Sequence, residues 1–75
     1  MSRLSAPERR VRQKLAANAR RFREQAKLTV EEVAHRAGLH WRHWQKIEAG
    51  EVNLTLASLT RVAGALGIEA SRLLE

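Results

Sequence analysis

Residues 29–50, TVEEVAHRAGLHWRHWQKIEAG, constrain the fold more than any other stretch, because start and stop signals for two helices are crowded into one short run. Thr29 and Glu32 have the T-x-x-E spacing of a reciprocal capping box, in which a hydroxyl and a carboxylate satisfy backbone N–H groups that a helix start leaves unpaired. The spacing predicts a helix from about Val30, with Val33, Ala34 and Ala37 on its inward face. Gly38 then supplies the left-handed conformation that ends a helix sharply. A second helix is predicted to start at Trp41.

Two short helices joined by a tight glycine turn make a helix-turn-helix. On the second helix, a rotation of about 100° per residue sets Trp44 and Ile47 on one face and Arg42, Gln45, Lys46 and Ala49 on the other. The outward face is cationic and flat. A helix that presents Arg and Lys four apart, with a small residue one turn further on, is shaped to enter the major groove of DNA and donate hydrogen bonds to base edges. Alone it would read as a solvated surface helix, and the frame around it turns the reading toward DNA.

Composition narrows the field. A chain of 75 residues makes one domain, and a domain that small buries only about 60% of its unfolded surface, so association with a second copy would help it. Without Cys there is no disulfide framework and no thiolate metal site, and no apolar run is long enough for a signal peptide or membrane span. A cytoplasmic location is expected. No Ser/His/Asp frame or phosphate-cradling glycine loop is visible, so neither enzyme activity, a cofactor nor a small-molecule ligand is expected. His40 and His43 are three apart, as metal ligands can be, but nothing nearby completes a site, and His40 is read as the N-cap of the second helix.

The net charge of +6 favours a polyanionic partner, and its distribution is uneven. Residues 1–27 hold nine Lys/Arg against two Glu, whereas residues 28–75 hold five against six. Ser5 and Glu8 form a second candidate capping box with Pro7 in the first turn, and Val11, Leu15, Ala19, Phe22 and Ala26 line one face of an unusually long first helix. After Gly50, Thr55 is a fair N-cap for a helix with Leu56, Leu59, Val62, Ala63 and Leu66 inward and Gly67 as its stop. A final short helix carries Leu73 and Leu74. The expected fold is all-α, a compact bundle of about five short helices containing the helix-turn-helix.

The ordered set Leu15, Arg20, Arg23, Leu28-Thr29, Glu32-Val33-Ala34, Ala37-Gly38-Leu39, Ile47-Glu48-x-Gly50, Asn53, Leu56, Leu59 and Ala63-x-Ala65-Leu66-Gly67-Ile68 resembles the lambda-repressor-like regulators, also called the XRE or Cro/CI type. The resemblance implies a DNA-binding domain over residues 15–75 that dimerises on a palindromic operator. It also implies an internal ion pair between Arg23 and Glu48, a base contact at Trp41 beside Arg42, Gln45 and Lys46, and a phosphate contact at Asn53. His43 is a further expected phosphate contact. The C-terminal region commonly builds the dimer in such regulators, which makes Leu74, Ile68 and Leu73 interface candidates. For Ile68 and Leu73 the closing of the monomer core is the preferred reading, and Trp41 equally suits a plug over the junction of the two helices.

Residues 1–14, the basic extension and the start of the first helix, lie outside what the family dictates. They read either as a solvated helix end or as an arm whose Arg3, Arg9 and Arg10 touch phosphates. The chain also departs from the family pattern. Val30 stands where a phosphate-binding Gln is frequent, Glu51-Val52 replaces a basic loop, Leu54 replaces a Pro, and Trp44 fills a position usually held by Ile or Val. That bulk calls for small neighbours such as Ala19, Ala34 and Ala37. Two other functions fit less well: an antitoxin- or adaptor-like protein-binding module, which lacks a partner-binding extension, and a membrane-surface helix over residues 8–27, whose apolar stripe the core needs.

Overall fold

The computed structural model describes residues 5–75. It contains four α-helices, α1 (Ala6–Gln25), α2 (Val30–Ala37), α3 (Trp41–Glu48) and α4 (Leu56–Leu66), followed by a 3-10 helix at Ala70–Leu74. Among the described residues there is no strand. The expected fifth helix is thus a short 3-10 segment, and α1 is long, its 20 residues spanning about 30 Å at 1.5 Å per residue.

Local chemistry explains most boundaries. The Ser5 side chain accepts from the Glu8 N–H at 3.2 Å and donates to the Glu8 carboxylate at 3.3 Å, which starts α1 with Pro7 in its first turn. Thr29 and Glu32 form the full box at the start of α2: Thr29 N–H donates to Glu32 Oε1 at 2.9 Å, and Glu32 N–H to Thr29 Oγ1 at 3.0 Å. His40 caps α3 through Nδ1, which accepts from the Arg42 N–H at 3.1 Å. Thr55 caps α4 by accepting from the Ser58 N–H at 3.1 Å. Gly38 ends α2 at φ 70°.

The end of α1 is less orthodox. Lys27 N–H bonds to the Glu24 carbonyl and Leu28 N–H to the Arg23 carbonyl, at 3.0 and 3.1 Å, with Lys27 itself left-handed at φ 59°. This is the closure a glycine normally makes. A side chain there costs about 1–2 kcal/mol of backbone strain.

Trp44 is the largest fully buried side chain of the core, enclosed as completely as Val33, Val62, Ala19 and Leu73, and the small residues Ala34, Ala37 and Ala63 belong to the same buried cluster. Asn18 is the buried polar residue of this core. Its amide donates to the Leu73 carbonyl at 2.8 Å and its oxygen accepts from Arg21 at 3.0 Å, so α1 holds the 3-10 helix by a polar clamp. Arg21 and Arg72 also lie over the Phe22 ring, 4.6 and 5.4 Å from its centroid.

Three expected inward residues are outward. Val11 is 53% and Leu56 83% exposed, and Ala26 is exposed as well. Val11 lies in the part of α1 that precedes its buried stripe, and Ala26 follows the last helical residue. Leu56 is the first residue of α4, and a helical side chain covers the turn preceding its own Cα, which at that position does not exist. The inward stripe of α4 therefore begins with the half-buried Leu59. Leu73, read as either interface or core, is wholly enclosed by its own chain and leaves no surface for an outside contact.

Candidate nucleic-acid interface

The two faces of α3 do different work. Inward, Trp44 and Ile47 are buried, and Glu48 collects three donors. Arg23 Nε and Nη2 reach its two carboxylate oxygens at 2.6 and 3.1 Å, and the Trp44 indole N–H donates to Oε2 at 2.5 Å. A further Arg23 nitrogen, Nη1, donates to the Leu28 carbonyl at 3.0 Å. The pair is largely shielded, with side-chain exposures of 14% for Arg23 and 11% for Glu48. The hydrogen bond to Glu48 pushes the Arg23 guanidinium above its already high pKa, against the desolvation that burial imposes. This bidentate bridge sets α3 in register against α1.

Outward, Arg42, Gln45 and Lys46 are exposed, and together with Ala49 and Glu51 they line one shallow hollow. Trp41 is also exposed, at the start of the helix. His40 stacks on it, ring centroids 5.6 Å apart, and the Arg42 guanidinium lies 5.2 Å from the Trp41 ring centroid. A cation held over an aromatic face loses part of its rotamer freedom in advance of any ligand.

The remaining candidates are scattered. His43 is half-buried with Nε2 enclosed and without a hydrogen-bond partner, so any outside contact has to run through Nδ1. Asn53 is exposed in the loop after α3 and shares a hollow with Pro7, Glu8, Val11 and Arg12 of the first turns of α1. Arg12 therefore stands beside Asn53, a neighbour that sequence reasoning missed because nothing local joins the two. Arg9 and Arg10 are exposed on α1. Arg10 faces a different hollow, with Pro7, Val11, Lys14 and Leu74, so it keeps company with the C-terminal end of the chain and not with Asn53. Leu74 is 47% exposed and Ile68 half-buried against the core. Arg3 lies outside the described residues.

Among the described residues no group of His or acidic side chains is gathered as a metal site would be, and no helix is long and apolar enough to cross a membrane. Two contacts went unread in the sequence. The Trp44–Glu48 bond carried a signal, a donor and an acceptor four apart on one helix, whereas the Asn18 clamp to Leu73 carried none.

Comparisons with known proteins agree with this geometry. A family model described as a helix-turn-helix domain matches residues 14–74. No curated protein sequence matches the chain. Among solved structures, the hypothetical transcription factor NHTF from Neisseria is 34% identical, with a TM-score of 0.84 over 89% of this chain and 75% of that one. The restriction-modification controller protein C.AhdI from Aeromonas hydrophila is 29% identical, with a TM-score of 0.80 over 83% of this chain and 94% of that one. The clp gene regulator ClgR from C. glutamicum is 26% identical, with a TM-score of 0.80 over 85% and 83%. With capped helices, a left-handed glycine turn and a locked α3 lying inside the matched span, the chain belongs to the helix-turn-helix domain family, as a lambda-repressor-like member.

Proposed function

We propose that the chain is a transcriptional regulator that binds double-stranded DNA sequence-specifically, as a homodimer on a palindromic operator. The observation that carries this reading is α3 itself, whose inward face is fixed by Trp44, Ile47 and the Arg23–Glu48 bridge while Arg42, Gln45 and Lys46 stand exposed around one hollow. Base recognition needs donors held at set spacings on an element that fits the major groove, and a rigid helix meets both needs. Trp41, Arg42, Gln45 and Lys46 meet base edges, Arg42 as a bidentate donor to guanine. Asn53 and His43 meet phosphates, joined by Arg9 and Arg3 of the basic segment 1–14, an accessory to the domain over 15–75, whereas Arg10 lies on the side of Leu74. The regulatory role is supported by relatives that are themselves a restriction-modification controller and a gene regulator.

Dimerisation through Leu74 and Ile68 follows from size, because one helix reads too few bases for useful specificity and a two-fold pair places its α3 helices about 34 Å apart, one turn of B-DNA. Selection of bound sites from random duplex DNA tests the reading. A palindrome with half-sites one turn apart is expected, and salt-sensitive binding without sequence preference would overturn it. Sedimentation of Leu74→Glu tests the interface: a monomer at micromolar concentration is expected, and a folded dimer moves the contact elsewhere.

A further inference from the structure

We infer that Glu51 is a specificity-determining residue of the α3 face, its carboxylate accepting a hydrogen bond from the N4 amino group of a cytosine in each half-site; the inference rests on the DNA-reading function proposed above. It begins with how α3 ends. Gly50 is left-handed at φ 74°, its N–H donates to the Ile47 carbonyl at 3.1 Å, and the Glu51 N–H donates to the Lys46 carbonyl at 3.0 Å. This paired closure folds the chain back and fixes the Glu51 backbone against the last turn of the helix. Glu51 consequently lines the same hollow as Arg42, Gln45, Lys46 and Ala49, and it is the one acid among those five residues. The other acid of this region, Glu48, is turned inward and taken by Arg23 and Trp44. Glu51 makes no ion pair among the described residues.

A carboxylate in that place has few acceptable partners. It accepts hydrogen bonds and donates none, so it repels phosphates and opposes guanine N7 and O6 and thymine O4, all of which are acceptors. Adenine offers its N6 amino group, but with the N7 acceptor beside it. Cytosine offers an amino donor with no acceptor next to it on the major-groove edge, which makes it the base a carboxylate selects. The same chemistry gives Glu51 a second effect, since on a sequence without the matching donor its charge stands against the DNA and weakens binding.

Site selection from random duplex DNA with the parent and with Glu51→Gln tests the assignment, with melting temperature as the control for folding. Glutamine keeps the size of the side chain but pairs with adenine N6 and N7. At one position of each half-site the parent is expected to enrich cytosine, and the variant to lose about tenfold of that enrichment with adenine taking its place. Retention of the cytosine by the variant would overturn the role of Glu51, and so would a gain in affinity of equal size on selected and random DNA, which marks a charge that only repels phosphates. A parent that selects no consensus overturns the DNA-reading function itself, so the two failures are distinct.

Discussion

The segment from Thr29 to Gly50 and the first turns of α1 both show helical periodicity, yet only the first buries the residues that periodicity marks. Val33, Ala34, Ala37, Trp44 and Ile47 are all enclosed, whereas Val11 stands half in water. The difference lies in what faces each helix. α2 and α3 pack on each other, and α1 and α4 cover their remaining apolar sides, whereas α1 carries its pattern several residues beyond the buried stripe that starts at Leu15. Periodicity reports which residues share a face, and burial additionally needs a partner opposite that face.

The largest expected effect strikes the segment that is well packed. Glu48→Ala strands the Arg23 charge and the Trp44 N–H in a mostly dry site, and removing one partner of such a pair costs about 3–5 kcal/mol. At about 4–8 °C per kcal/mol for a domain of this size, the melting temperature should fall by more than about 10 °C. A variant that melts within a degree or two of the parent would show that the bridge does not hold α3. Next in size, one substitution made in both regions separates them: Val33→Ala should cost about 1.5–3 kcal/mol through lost burial and a residual cavity, while Val11→Ala should stay within about 0.5 kcal/mol. Equal costs by chemical denaturation would erase the distinction.

A smaller effect of opposite sign is expected at the end of α1. Lys27→Gly relieves the left-handed strain but loosens the unfolded chain, for a net gain of about 0.5–1 kcal/mol, readable as a raised denaturation midpoint. A loss would mean that Lys27 makes a contact outweighing its strain. The gentlest test is acid. The Glu32 carboxyl is held below its usual range, first by the hydrogen bond from the Thr29 N–H and then by the Thr29 side chain. Folding lowers this pKa, so the cap contributes fully above the ordinary carboxylate value and fades as pH falls through the lowered one. Exchange protection of the first α2 amides should decline below about pH 4, and Glu32→Gln should flatten that decline.

What was legible in the sequence was what local rules decide. The Thr29–Glu32 box, the glycine turn, the His40 cap and the inward Trp44 and Ile47 depend on spacings of a few residues. The end of α1 was not legible because Lys27 takes a conformation usually left to glycine, and Leu56 misled because a periodic apolar residue at a helix start has no turn to cover. Asn18 was invisible for another reason: its partner, the Leu73 carbonyl, is 55 residues away in sequence. At the candidate interface, the grouping of Arg42, Gln45 and Lys46 followed from helix geometry alone. The place of Glu51 among them did not, because it depends on how the chain folds back at Gly50, and the proximity of Arg12 to Asn53 depends on the packing of the whole bundle.

The central claim is that α3 is a rigid helix whose outward side chains read bases, and binding by Arg42→Ala tests it most directly. Titrated against the selected site and against random duplex at one salt concentration, the variant should lose about 1–3 kcal/mol on the selected site and relax the preference at one base position per half-site, with a far smaller loss on random DNA. An equal loss on both would make Arg42 a phosphate contact and contradict the claim.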